Sequence, residues 1–568
     1  MNWPRLIKAA LKKEPVDLIL KGGKVLNLFT HELVQGDVAI LEDTIVGIGK
    51  GYVAKQTLDV QDKIISPGFI DAHIHLESTL LTPYELAKAV LPCGTTSLIC
   101  DPHEIANVLG IAGIKFILES SQNLPLDVLV MLPSCVPATH LETSGAELEA
   151  KDLVGLLEHP RVLGLAEVMN FPGVISGLPH VLNKILLARS YYKILDGHAP
   201  GLTGESLQAY CLTGIDSDHE CTNLNEAKEK LGLGMYIMLR EGSSEHNLLD
   251  LLPLVNKTTV KRCMLVSDDK HPHDLLAQGH LDYGLRLSIE HGLDPMLAIE
   301  LVTLSPAQRF GLKDRGAIAP GYKADLVVLN DLNQVQVDKV ITKGKLVVDQ
   351  GQILDLNPSA YTYPKHSLRI KSPFDLSIPV RGKYMRVIKI VPKQILTEAI
   401  ILEPKVENGL AMPDLKRDVL KLAVIERHKA SGNVGLGFVQ GLGLKQGAIA
   451  STVSHDSHNL IAVGTNDSDL EFGVKTLVEW GGGFVLVKDG RILAGLKLPI
   501  AGLISDEPLL EVSNKVKQIE KMAFQLGAKQ NPLMVLSFLA LPVIPSLRLT
   551  DKGLVDVTKF ELVELFLD

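Results

Sequence analysis

Ser66–Thr79 reads S-P-G-F-I-D-A-H-I-H-L-E-S-T, and the fold is read outward from it. An apolar pair, Phe69-Ile70, leads into Asp71 and then two histidines one residue apart. Side chains alternate faces along a strand, so His73 and His75 share one face. Two imidazoles on one face at a strand end are a ready pair of ligands for a divalent cation. A bare H-x-H is more often two incidental histidines on a surface strand. Here further ligand-type residues follow at the ends of successive strand-like runs.

From Gly68 onward, short buried-strand runs alternate with stretches of helical composition, the grammar of parallel β/α construction. The runs are 68–75, 95–103, 127–137, 162–170, 192–199, 214–220, 235–242 and 262–269. The sixth has the least apolar content. Eight such units predict a (β/α)8 TIM-type barrel over 67–312. A doubly wound α/β sheet is the competing architecture, but it would not need eight units of this regularity.

On either side the pattern changes to strands and turns. Residues 1–66 carry V-D-L-I-L, K-V-L-N-L and D-V-A-I, with hairpin-type turns at Lys21–Lys24 and Leu41–Thr44. Residues 313–360 carry I-T-K-G-K-L-V-V, which echoes L-I-L-K-G-G-K-V-L near residue 20. Both are read as hairpins of one type, and the two segments as one small β-sandwich. A Pro- and polar-rich stretch, 350–372, reads as a linker. A C-terminal α/β domain is expected over 373–568, so the fold class is α/β throughout.

The hydrophobic content of 46% over 568 residues supports large cores. The net charge of −9 is mild and the charges are mixed, with no basic block to suggest nucleic acid or lipid as a partner. The six cysteines form no C-x-x-C pair and no disulfide spacing, which fits a reducing, cytoplasmic compartment. Met1–Glu14 is short and amphipathic without a signal-peptide core. No apolar run is long enough to predict a membrane span.

Barrel enzymes keep their chemistry at the C-terminal ends of the strands. His73 and His75 fall there, as do Glu167, Asp196 and His198, Asp218–Glu220, and Asp268-Asp269. Carboxylates converging on one rim repel one another unless a cation sits among them.

With these residues in view the chain resembles the amidohydrolase superfamily, and within it the bacterial-type adenine deaminases. The resemblance rests on H-I-H-L-E-S-T, D-P-H-E-I-A-N-V (101–108), A-E-V-M-N (166–170), D-G-H-A-P-G (196–201), S-D-H-E (217–220), M-L-R-E-G-S (238–243) and S-D-D-K-H-P-H-D-L (267–275). It implies two divalent metal ions per chain, manganese or iron, with zinc also compatible. His73, His75 and Asp268 would hold one and His198 and His219 the other. Glu167 would bridge them, since 162–170 contains no lysine to serve as a carboxylated bridge.

The implied substrate is adenine, the implied reaction hydrolytic deamination in purine salvage, and the implied assembly a homodimer. Asp268 is the expected first base. Glu77, of the same strand parity as His75, is the expected proton donor to the ring, with orientation of a metal histidine as its alternative role. His103 and Glu104 are expected to contact the base or to support the metal ligands. Arg240-Glu241 reads either as an internal ion pair or as a substrate contact. His271 and His273 read as loop residues. S-H-D-S-H-N (454–459) and the glycine-rich G-L-G-F-V-Q-G-L-G-L read as loop or contact chemistry, because His455 and His458 lack a third ligand at useful spacing and no P-loop is present. A hydrolase of the same superfamily acting on a cyclic amide or an N-acetyl sugar is the alternative function. A non-catalytic barrel is a third reading, at odds with the complete ligand set.

Overall fold

The computed structural model describes residues 2–354, 356, 362, 368–392 and 394–568. Eight parallel strands form the barrel: β1 (Phe69–Ile74), β2 (Thr95–Cys100), β3 (Asp127–Leu132), β4 (Val162–Val168), β5 (Ile194–Gly197), β6 (Ser217–Asp218), β7 (Tyr236–Arg240) and β8 (Cys263–Val266). Strands β1 to β5 are hydrogen-bonded neighbours in order, as are β6 to β8. Two seams close the ring. At the first, Ile74 bridges Asp268 in parallel, with Asp268 N–H donating to the His73 carbonyl at 3.0 Å. At the second, Gly197 N–H donates to Ser217 Oγ at 3.2 Å. A Cβ on Gly197 would lie 2.3 Å from the Ser217 carbonyl oxygen, so only glycine lets β5 approach β6.

Period two sorts the side chains. Ile70, Ala72, Ile99, Leu129, Met131, Ala166, Met238 and Met264 fill the barrel interior. Phe69, Leu98, Cys100, Val128, Val130, Leu132 and Leu165 belong to the larger core shared with the surrounding helices. The weak sixth run is the shortest strand of the barrel, and its functional residues lie just beyond it.

The strands end earlier than the sequence runs, and several ligand-type residues stand on the segments just beyond them. Strand parity does not carry Glu77: it lies in a 3-10 turn, Leu76–Thr79, not on the strand itself. His103 opens a helix, His103–Leu109.

A four-stranded sheet (Val16–Lys21, Val38–Leu41, Thr44–Ile48, Ala54–Asp59) packs on a seven-stranded one that joins chain from both sides of the barrel. Leu326–Leu329 pairs antiparallel with Ile64–Pro67. Leu20, Ile40, Ile65, Leu326 and Ile341 share the core between the two sheets. Val337–Thr342 and Lys345–Asp349 form the expected hairpin. The Lys21–Lys24 turn does not. Val16–Lys21 is already paired on both edges, by Val38–Leu41 and Ala54–Asp59, so the next strand crosses into the other sheet. The stretch read as a linker, 350–372, opens with a short strand, Gln352–Ile353, and lies in large part outside the described residues.

Beyond it stands a second large sheet, built from strands between Tyr384 and Lys497, with Phe566–Leu567 pairing at Tyr384–Ile390. Helices Asp467–Trp480 and Leu509–Gln525 pack against it. The glycine-rich run is strand Val434–Gln440 and its exit. A Cβ on Gly435 would lie 1.8 Å from the Thr550 carbonyl oxygen, so this glycine serves close backbone packing. This C-terminal part rests on the barrel mouth. Ser505 N–H donates to the Leu80 carbonyl at 2.9 Å, Leu509 N–H to Glu85 Oε2 at 2.9 Å, and Thr143 N–H to Asp551 Oδ1 at 2.9 Å.

Candidate metal centre

At the C-terminal rim the structure brings His73, His75, Glu167, His198, His219 and Asp268 together; all are buried except His198, which is partly exposed. His75 Nε2 lies 3.1 Å from Asp268 Oδ1 and 3.4 Å from Glu167 Oε1. His73 Nε2 is 3.5 Å from Asp268 Oδ1, and its ring stacks on that of His219 with centroids 4.1 Å apart. On the other side Glu167 Oε2 is 2.6 Å from His198 Nδ1 and 3.1 Å from His219 Nε2. Glu167 thus faces His75 with one oxygen and His198 and His219 with the other.

The ring orientations suit ligation. His75 Nδ1 faces the Asp101 carbonyl at 3.3 Å, so Nδ1 carries the hydrogen and the Nε2 lone pair points at the carboxylates. His73 Nε2 is buried without a hydrogen-bond partner among the described residues. The ligand atoms of His73, His75 and Asp268 lie within 4.8 Å of one another. Buried imidazoles and carboxylates in this arrangement fit divalent cations.

Burial disfavours the charged form of both carboxylates, but their neighbours win. The Arg240 guanidinium and the His73 and His75 rings hold Asp268 well below the usual carboxylate range. His198 and His219 do the same for Glu167. Arg240 settles into the ion-pair reading: Nη1 meets Asp268 Oδ2 at 2.8 Å and Nη2 meets Glu220 Oε2 at 3.2 Å. Glu241 turns away to His246, at 2.9 Å.

Glu77 accepts from Ile105 N–H through Oε1 at 2.9 Å, while Oε2 is buried without a hydrogen-bond partner among the described residues. Burial pushes its carboxyl up to about 7. No hydrogen bond from Glu77 to a ligand histidine is found among the described residues. His103 sits against the centre, with Nδ1 3.1 Å from Asp101 Oδ2 and 3.4 Å from Glu167 Oε1.

Glu104 faces two ways, and its Oε1 lies 3.2 Å from His103 Nε2. Its two oxygens meet His455 Nδ1 and His458 Nε2 of the C-terminal part. Local spacing offered those histidines no third partner, and the fold supplies one from the barrel. Their contact is a hydrogen-bonded latch: His458 Nδ1 accepts Ser454 N–H at 3.1 Å, so the ring hydrogen is on Nε2, facing Glu104.

The sequence carries no sign that Asp71, Tyr210 and Asn247 position the site. Asp71 accepts from Ser267 Oγ at 2.5 Å, from Ser267 N–H at 3.2 Å and from His73 N–H at 3.3 Å, and lies 3.0 Å from His280 Nε2. Tyr210 OH donates to the Val168 carbonyl at 2.9 Å and accepts His198 N–H at 3.1 Å. Asn247 donates to the His219 carbonyl at 3.0 Å. Asp196 and Asp218 are engaged by Ser217 and Arg309, and by Lys230 and Ala199 N–H. Asp269 takes Ser78 Oγ; His271 and His273, expected on a loop, cap and open the helix Pro272–Ala277, with rings 5.8 Å apart.

Residues 64–347 match the amidohydrolase family, and residues 394–561 match the adenine deaminase C-terminal domain. An adenine deaminase from Dehalococcoides mccartyi is 49% identical over 99% of both chains. Adenine deaminase 2 from Carboxydothermus hydrogenoformans is 47% identical over 99% of both. A β-aspartyl dipeptidase structure from Fervidobacterium islandicum AW-1 covers 60% of this chain and 99% of its own, at 16% identity and a TM-score of 0.46. Full-length likeness at this level, together with both family matches, means that the chain belongs to the adenine deaminases of the amidohydrolase superfamily.

Proposed function

We propose that this chain hydrolyses the exocyclic C–N bond of free adenine, converting adenine and water to hypoxanthine and ammonia. The observation that carries the reading is one buried site. In it, two clusters of groups able to ligate a cation meet at Glu167, beside a carboxyl group, Glu77, with an oxygen that has no hydrogen-bond partner among the described residues.

His73, His75 and Asp268 would hold one divalent cation and His198 and His219 the other, with Glu167 between them as an unmodified carboxylate. The mixed nitrogen and oxygen donors suit manganese or iron, and also zinc. The chemistry such cations supply is acidification of a water, so that hydroxide is available near neutral pH. Asp268 takes the proton from that water and releases it to the departing ammonia. Arg240, on the other Asp268 oxygen, keeps the carboxylate charged and oriented. Glu77, protonated near neutral pH, donates to ring nitrogen 1 as carbon 6 is attacked, and regains a proton from the added hydroxyl as the carbonyl at carbon 6 forms and ammonia leaves. His103 borders the same space and would contact the base. Glu104 supports that wall through its latch to the C-terminal part.

The reading places the enzyme in purine salvage in the cytoplasm, as a homodimer. Its six cysteines are free, and no helix of the described residues is long and apolar enough to cross a membrane.

The test is to incubate protein loaded with manganese, iron or zinc with a panel of free bases, nucleosides, cyclic amides and N-acetyl sugars. Ammonia release with adenine is expected. Turnover confined to a cyclic amide or an N-acetyl sugar would overturn the reading.

A further inference from the structure

Segment Ser454–Asn459 of the C-terminal part reaches the barrel mouth, and both of its histidines and its asparagine are engaged. His455 and His458 meet Glu104. His455 N–H donates to the Ser537 carbonyl at 2.8 Å, and the His455 ring stacks on Phe538 with centroids 4.8 Å apart. The His458 carbonyl accepts from Arg427 Nε, and the Ser457 carbonyl faces His428 Nε2 at 2.7 Å. Asn459 Nδ2 donates to the Thr143 carbonyl at 2.8 Å. The segment is therefore held from several sides.

Three side chains stand apart: the Ser454 and Ser457 hydroxyls are buried without a hydrogen-bond partner among the described residues, and Asp456 is the one carboxylate among the three. It is only 3% exposed, and its Oδ2 has no hydrogen-bond partner among the described residues. Its Oδ1 lies 3.9 Å from His103 Nε2, on the edge of that ring away from Nδ1, which faces Glu167. A buried carboxylate oxygen without a donor is costly, and a rigid backbone prevents it from turning to water. Such a group is retained where a ligand supplies the missing donor. Free adenine has one N–H donor apart from its reacting amine, on the imidazole half of the ring, and in its main tautomer this is at the end remote from carbon 6. Glu77 Oε2 is another buried carboxyl oxygen without a hydrogen-bond partner among the described residues, and its partner on the base is ring nitrogen 1.

We infer that Asp456 is a specificity-determining residue supplied by the C-terminal part, whose carboxylate accepts the imidazole N–H of the base and so selects unsubstituted 6-aminopurines. The inference rests on the adenine reading above. The contact lies away from the reacting carbon and is made equally in the ground and transition states. It therefore acts on KM and leaves kcat nearly unchanged.

The test compares the full-length, metal-loaded parent with Asp456→Asn and Asp456→Ala, using adenine and 9-methyladenine. Both variants are expected to keep two metals per chain, to raise KM for adenine about 10- to 100-fold, and to hold kcat within a few-fold. The preference for adenine over 9-methyladenine should fall at least about tenfold, an effect that loosening of the fold would not give. An unchanged KM and preference, or a fall in kcat alone, overturns the role of Asp456 while the deaminase reading stands. A parent that releases no ammonia from adenine overturns that reading, and this inference with it.

Discussion

At Asp71 one carboxylate gathers groups from three parts of the chain: the His73 backbone, Ser267 at the end of β8, and the His280 ring, which Thr95 Oγ1 meets from the other side at 2.8 Å. It ties β1 to β8 directly beneath His73, His75 and Asp268. Asp71→Ala should therefore weaken metal binding by about 10- to 100-fold, the usual effect of removing a group that orients ligands. Titration of metal-free protein, followed by metal content per chain, reads this directly. An unchanged affinity would show that the ligands are held by other contacts. Glu77 belongs to the opposite case, since among the described residues it has no hydrogen bond to a candidate ligand histidine. Glu77→Gln should retain two metals per chain and lose about 10²- to 10⁴-fold in kcat, the range for general acid–base groups. Loss of metal from that variant would assign Glu77 to the ligand shell.

At the scale of elements, the foot of the barrel is clasped to the flanking sheets by charge. Asp127, at the start of β3, lies 3.0 Å from Arg315 Nη1 and 2.9 Å from Lys343 Nζ. Burial alone would raise its carboxyl; Arg315, Lys343 and Lys323 bring it down to about 2, against 3.8 unperturbed. A depressed carboxyl contributes stability that is complete above the unfolded value and is lost as pH falls through the folded one. Asp127→Asn should cost on the order of 2 kcal/mol at pH 6, and the difference should shrink as pH drops from about 4 to 2. Paired urea denaturation across that range measures it, and a constant difference would remove Asp127 from the account.

The same scale shows what the sequence could convey. Alternating burial made the strand starts legible, and β1 to β5 begin within two residues of their runs. Their ends were not legible: His75, His103, His198, His219 and Asp268 stand just beyond the strands, and no periodicity marks that change. The Lys21–Lys24 turn has hairpin chemistry, but the preceding strand already has a partner on each edge. The ligand-type histidines could be found because they sit at strand ends. The partners of Asp71 and Glu104 could not: Glu104 and His458 are 354 residues apart, and nothing in either local stretch refers to the other.

Across the whole molecule, the C-terminal part closes what the barrel leaves open. The seam between the rim and this part is lined by Ser78, Asp269, His271, Val453, His455 and Phe538, and its cavity has a volume of only about 30 Å³. The Glu104 latch and the bonds from Ser505, Leu509 and Asp551 hold the cover down. A cover of this kind keeps bulk water from the attacking hydroxide. Any substrate must fit beneath it or displace it, and a flat base fits far more readily than one carrying a ribose, which would have to pass through the seam. Adenine should therefore exceed adenosine in kcat/KM by at least about 10²-fold. Because the exclusion comes from the cover and not from a single contact, Asp456→Ala should still turn over adenosine no faster than the parent does, while the ratio falls only by the rise in KM for adenine. The measurement is the pair of kcat/KM values on one metal-loaded preparation of each protein. Equal or reversed values in the parent would mean that the cover opens wide enough to admit the sugar, and would assign the enzyme to nucleosides.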